Sequence, residues 1–167
     1  GWIKQMMREM PREDREIITQ QAFGALATND AVHKADIFDL LSDLTRHGPR
    51  EQEFKTRSQN EALAILSDIN NRSTLDPATK KTLLYYLPVN VSNSEAIANY
   101  LTSDNDPNVR IAAYSVLIRS GKDEVIGEMI KDQDPRVKQS GYFQVANKAY
   151  KLKEQNQPYE NLAKPLY

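Results

Sequence analysis

Three groupings of side chains in this sequence have types that could do chemistry. His33 and His47 are its only histidines, 14 residues apart. Imidazole nitrogens bind metals and move protons near neutral pH. His33 falls in the first turns of one expected helix and His47 just past its end, so they point to different places. No third ligand is spaced to join them, which favours surface histidines over a metal site or a histidine-based triad. Carboxylates are paired at Asp104/Asp106 and at Asp132/Asp134. Two carboxyl groups can act as general acid and base when burial tunes them. Both pairs stand at helix starts, where capping explains them. The third grouping is eight tyrosines, whose apolar ring and polar tip suit interfaces and repeat seams alike. There is no Gly-rich phosphate loop. We therefore assign no catalytic residue and no metal ligand, and expect no cofactor.

Bulk properties narrow the classes further. The chain has 167 residues, enough for one ordinary domain with a real core. Charged residues make up 27% and hydrophobic ones 40%, which places it among soluble globular chains rather than disordered ones. A formal net charge of −1 argues against a large nucleic-acid footprint. Cysteine is absent, which excludes disulfide scaffolds, thiolate zinc sites and cysteine nucleophiles. That absence suits an exported or periplasmic protein slightly better than a cytoplasmic one, and the compartment stays open. No apolar run approaches the roughly 18 residues of a spanning helix. The sequence opens at Gly1 rather than Met, as expected where something upstream has been removed. Trp2 to Arg8 would suit the stretch just after an upstream membrane anchor, or a plain amphipathic first helix.

These side chains must be positioned by helices. Glycine is scarce, β-branched runs are missing, and apolar residues recur at three and four, so the fold class is all-α. A helix beginning near Pro11 carries Glu13, Asp14 and Glu16 at the positive end of its dipole and ends at Asn29-Asp30. A second, over about 31–46, buries Ile37, Phe38, Leu40, Leu41 and Leu44 and stops at Gly48-Pro49. Residues 50–57 read as a loop or as a solvated helix extension with Phe54 as its one apolar anchor. Ser58-x-x-Glu61 and Ser92-x-x-Glu95 have the capping-box pattern, and each is expected to start a return helix. A third return helix is expected over about 123–131, starting at Asp123.

An Asp-Pro pair opens three similar segments, at Asp76, Asp106 and Asp134, spaced 30 and 28 residues apart. A period of this size signals stacked helical units. Asp caps each helix and Pro takes its first turn. Three residues after the Asp stand Thr79, Val109 and Val137; seven after, Leu83, Ala113 and Gly141; eleven after, Leu87, Leu117 and Val145. These share one face and should form the core. Small residues at Ala112-Ala113 and Ser140-Gly141 permit close helix approach. Four residues after the Asp the residue is basic every time: Lys80, Arg110 and Lys138. A fainter copy opens at Asp30, with Lys34 at the basic place. Asp76, Lys80, Asp106, Arg110, Asp134 and Lys138 are thus expected to set the repeat register, by pairing within a helix or bridging to the next unit.

The stretch Asp104-x-Asp106-Pro-x-Val-Arg-x-Ala-Ala-x-x-x-Leu117 resembles the short HEAT-like repeat of the phycobilisome-lyase type. Asp132-x-Asp134-Pro-x-Val-Lys is similar, and Asp76-Pro77 matches more weakly, with Thr79 where Val is usual. The resemblance covers residues 76–150 well and 30–75 faintly. It implies an α-solenoid, an α-α superhelix of stacked antiparallel helix pairs, acting mostly as a binding scaffold. It also implies a rival reading, an enzyme or enzyme subunit of the lyase-like branch. The His-Glu iron ligands of the family's hydroxylase are missing here. Nucleic-acid binding, as in the family's glycosylases, ranks third.

The expected organisation is a helical lead-in over 1–29, HEAT-like repeats over 30–153 and a tail over 154–167. The expected function is non-catalytic protein–protein interaction. The exposed side of the return helices would carry the contacts: Glu95, Asn99 and Thr102, then Glu124, Glu128 and Lys131. Such a face is mildly acidic and polar, and hints at a basic or polar peptide partner of unknown identity. Tyr114 and Tyr142 share one repeat position with Leu84 and Phe38, and Tyr85, Tyr86, Tyr100 and Tyr150 add to the set. They suit the core or a repeat seam ahead of partner contact. Pro158 and Pro165 stop the last helix, and Tyr159, Leu162, Leu166 and Tyr167 are expected to fold back over its open end.

Overall fold

The structure is a computed structural model that describes residues 2–156 and 158. The expected capping residues Tyr159, Leu162, Leu166 and Tyr167 lie outside the described residues. Among the described residues the chain is all-α, with no strand. In chain order the helices are α1 (Trp2–Glu9), α2 (Arg12–Leu26), α3 (Ala31–Thr45), α4 (Glu51–Ser67) and α5 (Ile69–Thr74). They continue with α6 (Pro77–Tyr86), α7 (Ser92–Leu101), α8 (Pro107–Arg119), α9 (Val125–Ile130) and α10 (Pro135–Glu154). The helices gather into two compact units, Gly1–Leu87 and Pro88–Tyr167.

In the first unit α3 packs against α2, α4 and α6. Its centre is aromatic. Phe38, Phe54 and Tyr86 meet edge to face with ring centroids 5.3 to 6.5 Å apart. The Tyr86 hydroxyl donates to an Asp39 carboxylate oxygen at 3.0 Å, with the Phe38 carbonyl as a second acceptor at 3.3 Å. Burial pushes the Tyr86 phenol far above its ordinary pKa, and the Asp39 charge adds to this. Leucines at 26, 41, 66, 83 and 84 of the same unit are fully buried.

In the second unit α8 packs against α7, α9 and α10, and α10 lies along α9. The three Asp-Pro helices start where expected. Asp76, Asp106 and Asp134 each accept backbone N–H groups of the first turn, with Pro as the first helical residue. Asp30 caps α3 in the same way. All nine expected core positions of the three helices are buried. α8 ends at Gly121 with φ +83, where Lys122 N–H reaches the Leu117 carbonyl at 2.9 Å and Gly121 N–H that of Ile118. This is a Schellman ending, and its positive φ favours Gly.

The return helices depart from expectation at their starts. Ser58 is no cap: it lies buried inside α4 and donates to the Lys55 carbonyl. Residues 51–57 are helical because Phe54 must reach Phe38 and Tyr86, so α4 begins directly after the Gly48-Pro49 turn. Ser92 is already the first residue of α7, behind Val91, and makes no capping bond. The Ile97, Ala98 and Leu101 face sets that start, since these must turn into the core. Asp123 likewise does not open α9; its carboxylate takes Lys148 of α10 at 2.5 Å. The short helix α5, capped by Asp68, was not anticipated.

Gly141 marks the closest approach of α10 to α9. A Cβ there would meet the Met129 Cβ at 2.9 Å and the Ile130 backbone N at 3.1 Å. Gly127, within α9, has open space around the same position. G141A should therefore lose about 1–3 kcal/mol through overpacking. G127A should gain about 0.5–1 kcal/mol by removing helical glycine. Urea unfolding of both variants checks the pair, and equal effects of either sign would contradict this packing.

Candidate functional site

Two Asp-x-Asp-Pro loops organise the second unit. In each, the first Asp folds the loop and the second caps the helix. Asp104 accepts the Asp106 N–H at 2.9 Å, and Asp132 accepts the Asp134 N–H at 2.8 Å. Each is a local side-chain turn that competes with, and here precedes, the helix. Asp106 and Asp134 then accept the N–H groups of Asn108 and Arg136 at 2.8 Å. The carboxylate pairs are therefore spent on backbone donors.

Arg110 ties one loop to the next. Its guanidinium donates to both Asp132 oxygens, at 3.0 and 2.8 Å, and to the carbonyls of Asp104 and Asn105 at 3.0 and 3.2 Å. The fork matches the carboxylate, a fit that a lysine ammonium cannot reproduce. Arg110 and Asp132 keep only 16% and 11% of their side-chain surface. The Arg110 hydrogen bonds hold the Asp132 carboxyl below its ordinary value of 3.8. Asp134 is lowered to about 2, chiefly by its bond to Arg136. The basic residue one turn into the helix thus bridges to the next loop in the case of Arg110. Lys34, in the Asp30 copy, reaches Glu61 of α4 at 3.7 Å. Lys80 is buried in α6, and Lys138 is half-buried on α10.

A hollow of about 240 Å³ lies between α7 and the turn that leads from α8 into α9. Glu95 and Asn99 of α7 line it with Glu124, and Leu117 and Val125 form its apolar part. Lys122 completes the lining, 4.0 Å from Glu95. Three of the six expected contact residues are therefore brought together. The other three are not. Thr102 turns its hydroxyl to the Asn99 carbonyl at 2.7 Å. Glu128 and Lys131 are exposed on and after α9, away from the lining. The Glu128 charge still acts on Tyr114, whose phenol is raised mainly by burial. Lys122 was missed because nothing in its own neighbours marks it; the Gly121 ending of α8 delivers it.

The tyrosine set divides. Tyr86 and Tyr114 are buried, as are Leu84 and Phe38 at the shared repeat position. Tyr142, Phe143 and Tyr150 stand exposed on α10, and Tyr85 and Tyr100 are exposed as well. His33 sits against its own helix cap, 2.8 Å from Asp30, while His47 is exposed beyond the far end of α3 with φ +59. Among the described residues no cluster of three His, Asp or Glu side chains gathers as a metal site would require. No helix of the described chain is long and apolar enough to cross a membrane.

No family model matches the sequence, and neither a curated protein nor a solved structure matches it.

The Arg110–Asp132 fork makes a pH prediction. Because the folded-state carboxyl is depressed, its contribution is present above the unfolded value of about 4 and is lost as pH falls through the lower folded value. D132N should cost about 1.5–3 kcal/mol at neutral pH, the scale for hydrogen bonds to charged groups. Its stability should also fall less steeply than that of the wild type below pH 4. Denaturant melts from pH 7 downward measure both, and parallel pH profiles would refute the assignment.

Proposed function

We propose that this chain is a HEAT-like helical-repeat scaffold, an α-solenoid module that binds a basic peptide segment of a partner protein without catalysis. The observation that carries this reading is the meeting of Glu95, Asn99 and Glu124 in one hollow. Two carboxylates and an amide suit the charged head of a Lys or Arg side chain. The Lys122–Glu95 pair at 4.0 Å is loose, so an incoming cation competes for Glu95 at little cost. The repeating Asp-Pro caps and the Arg110 bridge support the repeat reading. The exposed rings of Tyr142, Phe143 and Tyr150 support a protein partner, since such side chains give large contact area at low entropic cost. The carboxylates of the Asp-x-Asp loops are all engaged by backbone or guanidinium donors, which speaks for scaffolding and not for acid–base work.

Selection of displayed random peptides on the wild-type chain should enrich Lys- and Arg-containing sequences. The E95Q/E124Q variant should bind the selected peptides about tenfold more weakly, with reduced salt dependence. Glu124 is exposed and the half-buried Glu95 gives up a loose 4.0 Å pair, so stability should stay within about 1 kcal/mol. Recovery of acidic or apolar peptides, or equal affinity in the variant, would count against the reading.

A further inference from the structure

The first unit holds a larger cavity, of about 470 Å³, between α2 and the turn that joins α3 to α4. Four arginines line it, Arg12 and Arg15 from α2 and Arg46 and Arg50 from the turn, against a single lining carboxylate, Glu16. Leu44 and Pro49 give it an apolar wall. The four guanidinium groups are held to different degrees. Arg50 is fixed: it forks onto Glu53 at 2.8 and 2.9 Å, donates to Gln20 at 2.8 Å and lies 4.1 Å over the Phe23 ring. Arg12 and Arg46 each give one bond, to Glu16 and Asp43, both at 3.2 Å. Arg15 donates from one terminal nitrogen to the Met7 carbonyl, while its Nε is buried and has no hydrogen-bond partner. A buried donor on a charged group is costly to leave unmade. Other atoms of the Arg15 side chain line a cavity of ligand size.

We propose that this cavity binds a small organic phosphate. Its dianionic phosphoryl group would lie among Arg12, Arg15 and Arg46, and its organic part against Leu44 and Pro49. Guanidinium forks match phosphate oxygens, and five donors per arginine leave Arg12 and Arg46 with unused capacity. Asp43 and Glu53 pair with Arg46 and Arg50, and Glu51 accepts the His47 N–H, so these carboxylates offset part of the arginine charge while Arg12 and Arg46 keep free donors. The volume exceeds what a bare ion needs, which points to an organic ester. This site shares no residue with the α7–α9 hollow, so it stands or falls independently of the peptide reading.

Calorimetric titration of the full chain at fixed ionic strength, with inorganic phosphate, phenyl phosphate and phenylacetate as probes, tests the proposal. Phenyl phosphate should bind more tightly than inorganic phosphate, and phenylacetate about tenfold more weakly than phenyl phosphate. R12Q/R46Q should weaken phenyl phosphate at least about tenfold. Those side chains are 84% and 55% exposed, so the variant should keep its fold, as circular dichroism would verify. Unchanged affinity in R12Q/R46Q, phenylacetate binding as tightly as phenyl phosphate, or no phenyl phosphate binding by the wild type would overturn it.

Discussion

A single guanidinium holds two repeat loops of the second unit in fixed relation. Arg110 spends two donors on the carbonyls of its own loop and two on the carboxylate of the next. Asp132 answers with one oxygen shared between Arg110 and the Asp134 N–H. The pair is mostly buried, so removing either partner leaves the other charge without its counter-ion in a poorly hydrated place. Other contacts position the rest of the unit. The start of α10 is set by Asp134, the line of α9 by Gly141 against Met129, and the hollow by the distance from α7 to α9.

The two units solve the core problem differently. The first fills its centre with large rings and buries the Tyr86 hydroxyl only because Asp39 and the Phe38 carbonyl receive it. The second uses small side chains at the crossings, Ala113 and Gly141, and lets backbones approach. The outer side of α10 retains Tyr142, Phe143 and Tyr150 in solvent, an arrangement that burial alone does not explain.

Local chemistry at the Asp-Pro caps was legible because everything it needs lies within three residues. An Asp carboxylate, the missing N–H of Pro and the free donors of the first turn act whatever surrounds them. The Ser-x-x-Glu boxes look as local and were misleading. At Ser58 the demand of Phe54 for the aromatic centre extended the helix backward and buried the serine. At Ser92 the buried face of α7 moved the start by one residue. A cap contributes about 1 kcal/mol, while burying a Phe or Leu contributes about 1.5–3, so packing prevails.

The sequence by itself determined the helical class, the three Asp-capped helices and the face each one buries, since these follow from periodicity and from contacts within a turn. It also marked Glu95, Asn99 and Glu124 as exposed polar positions, though with Thr102, Glu128 and Lys131 as apparent equals. Only the tertiary structure decided which of them meet, because the hollow depends on the distance between α7 and α9 and on where Gly121 sends Lys122. The arginine cavity was invisible for the same reason. Arg12 and Arg15 stand on one helix, and Arg46 and Arg50 flank a turn. Their shared field exists only once α2 and α3 pack together.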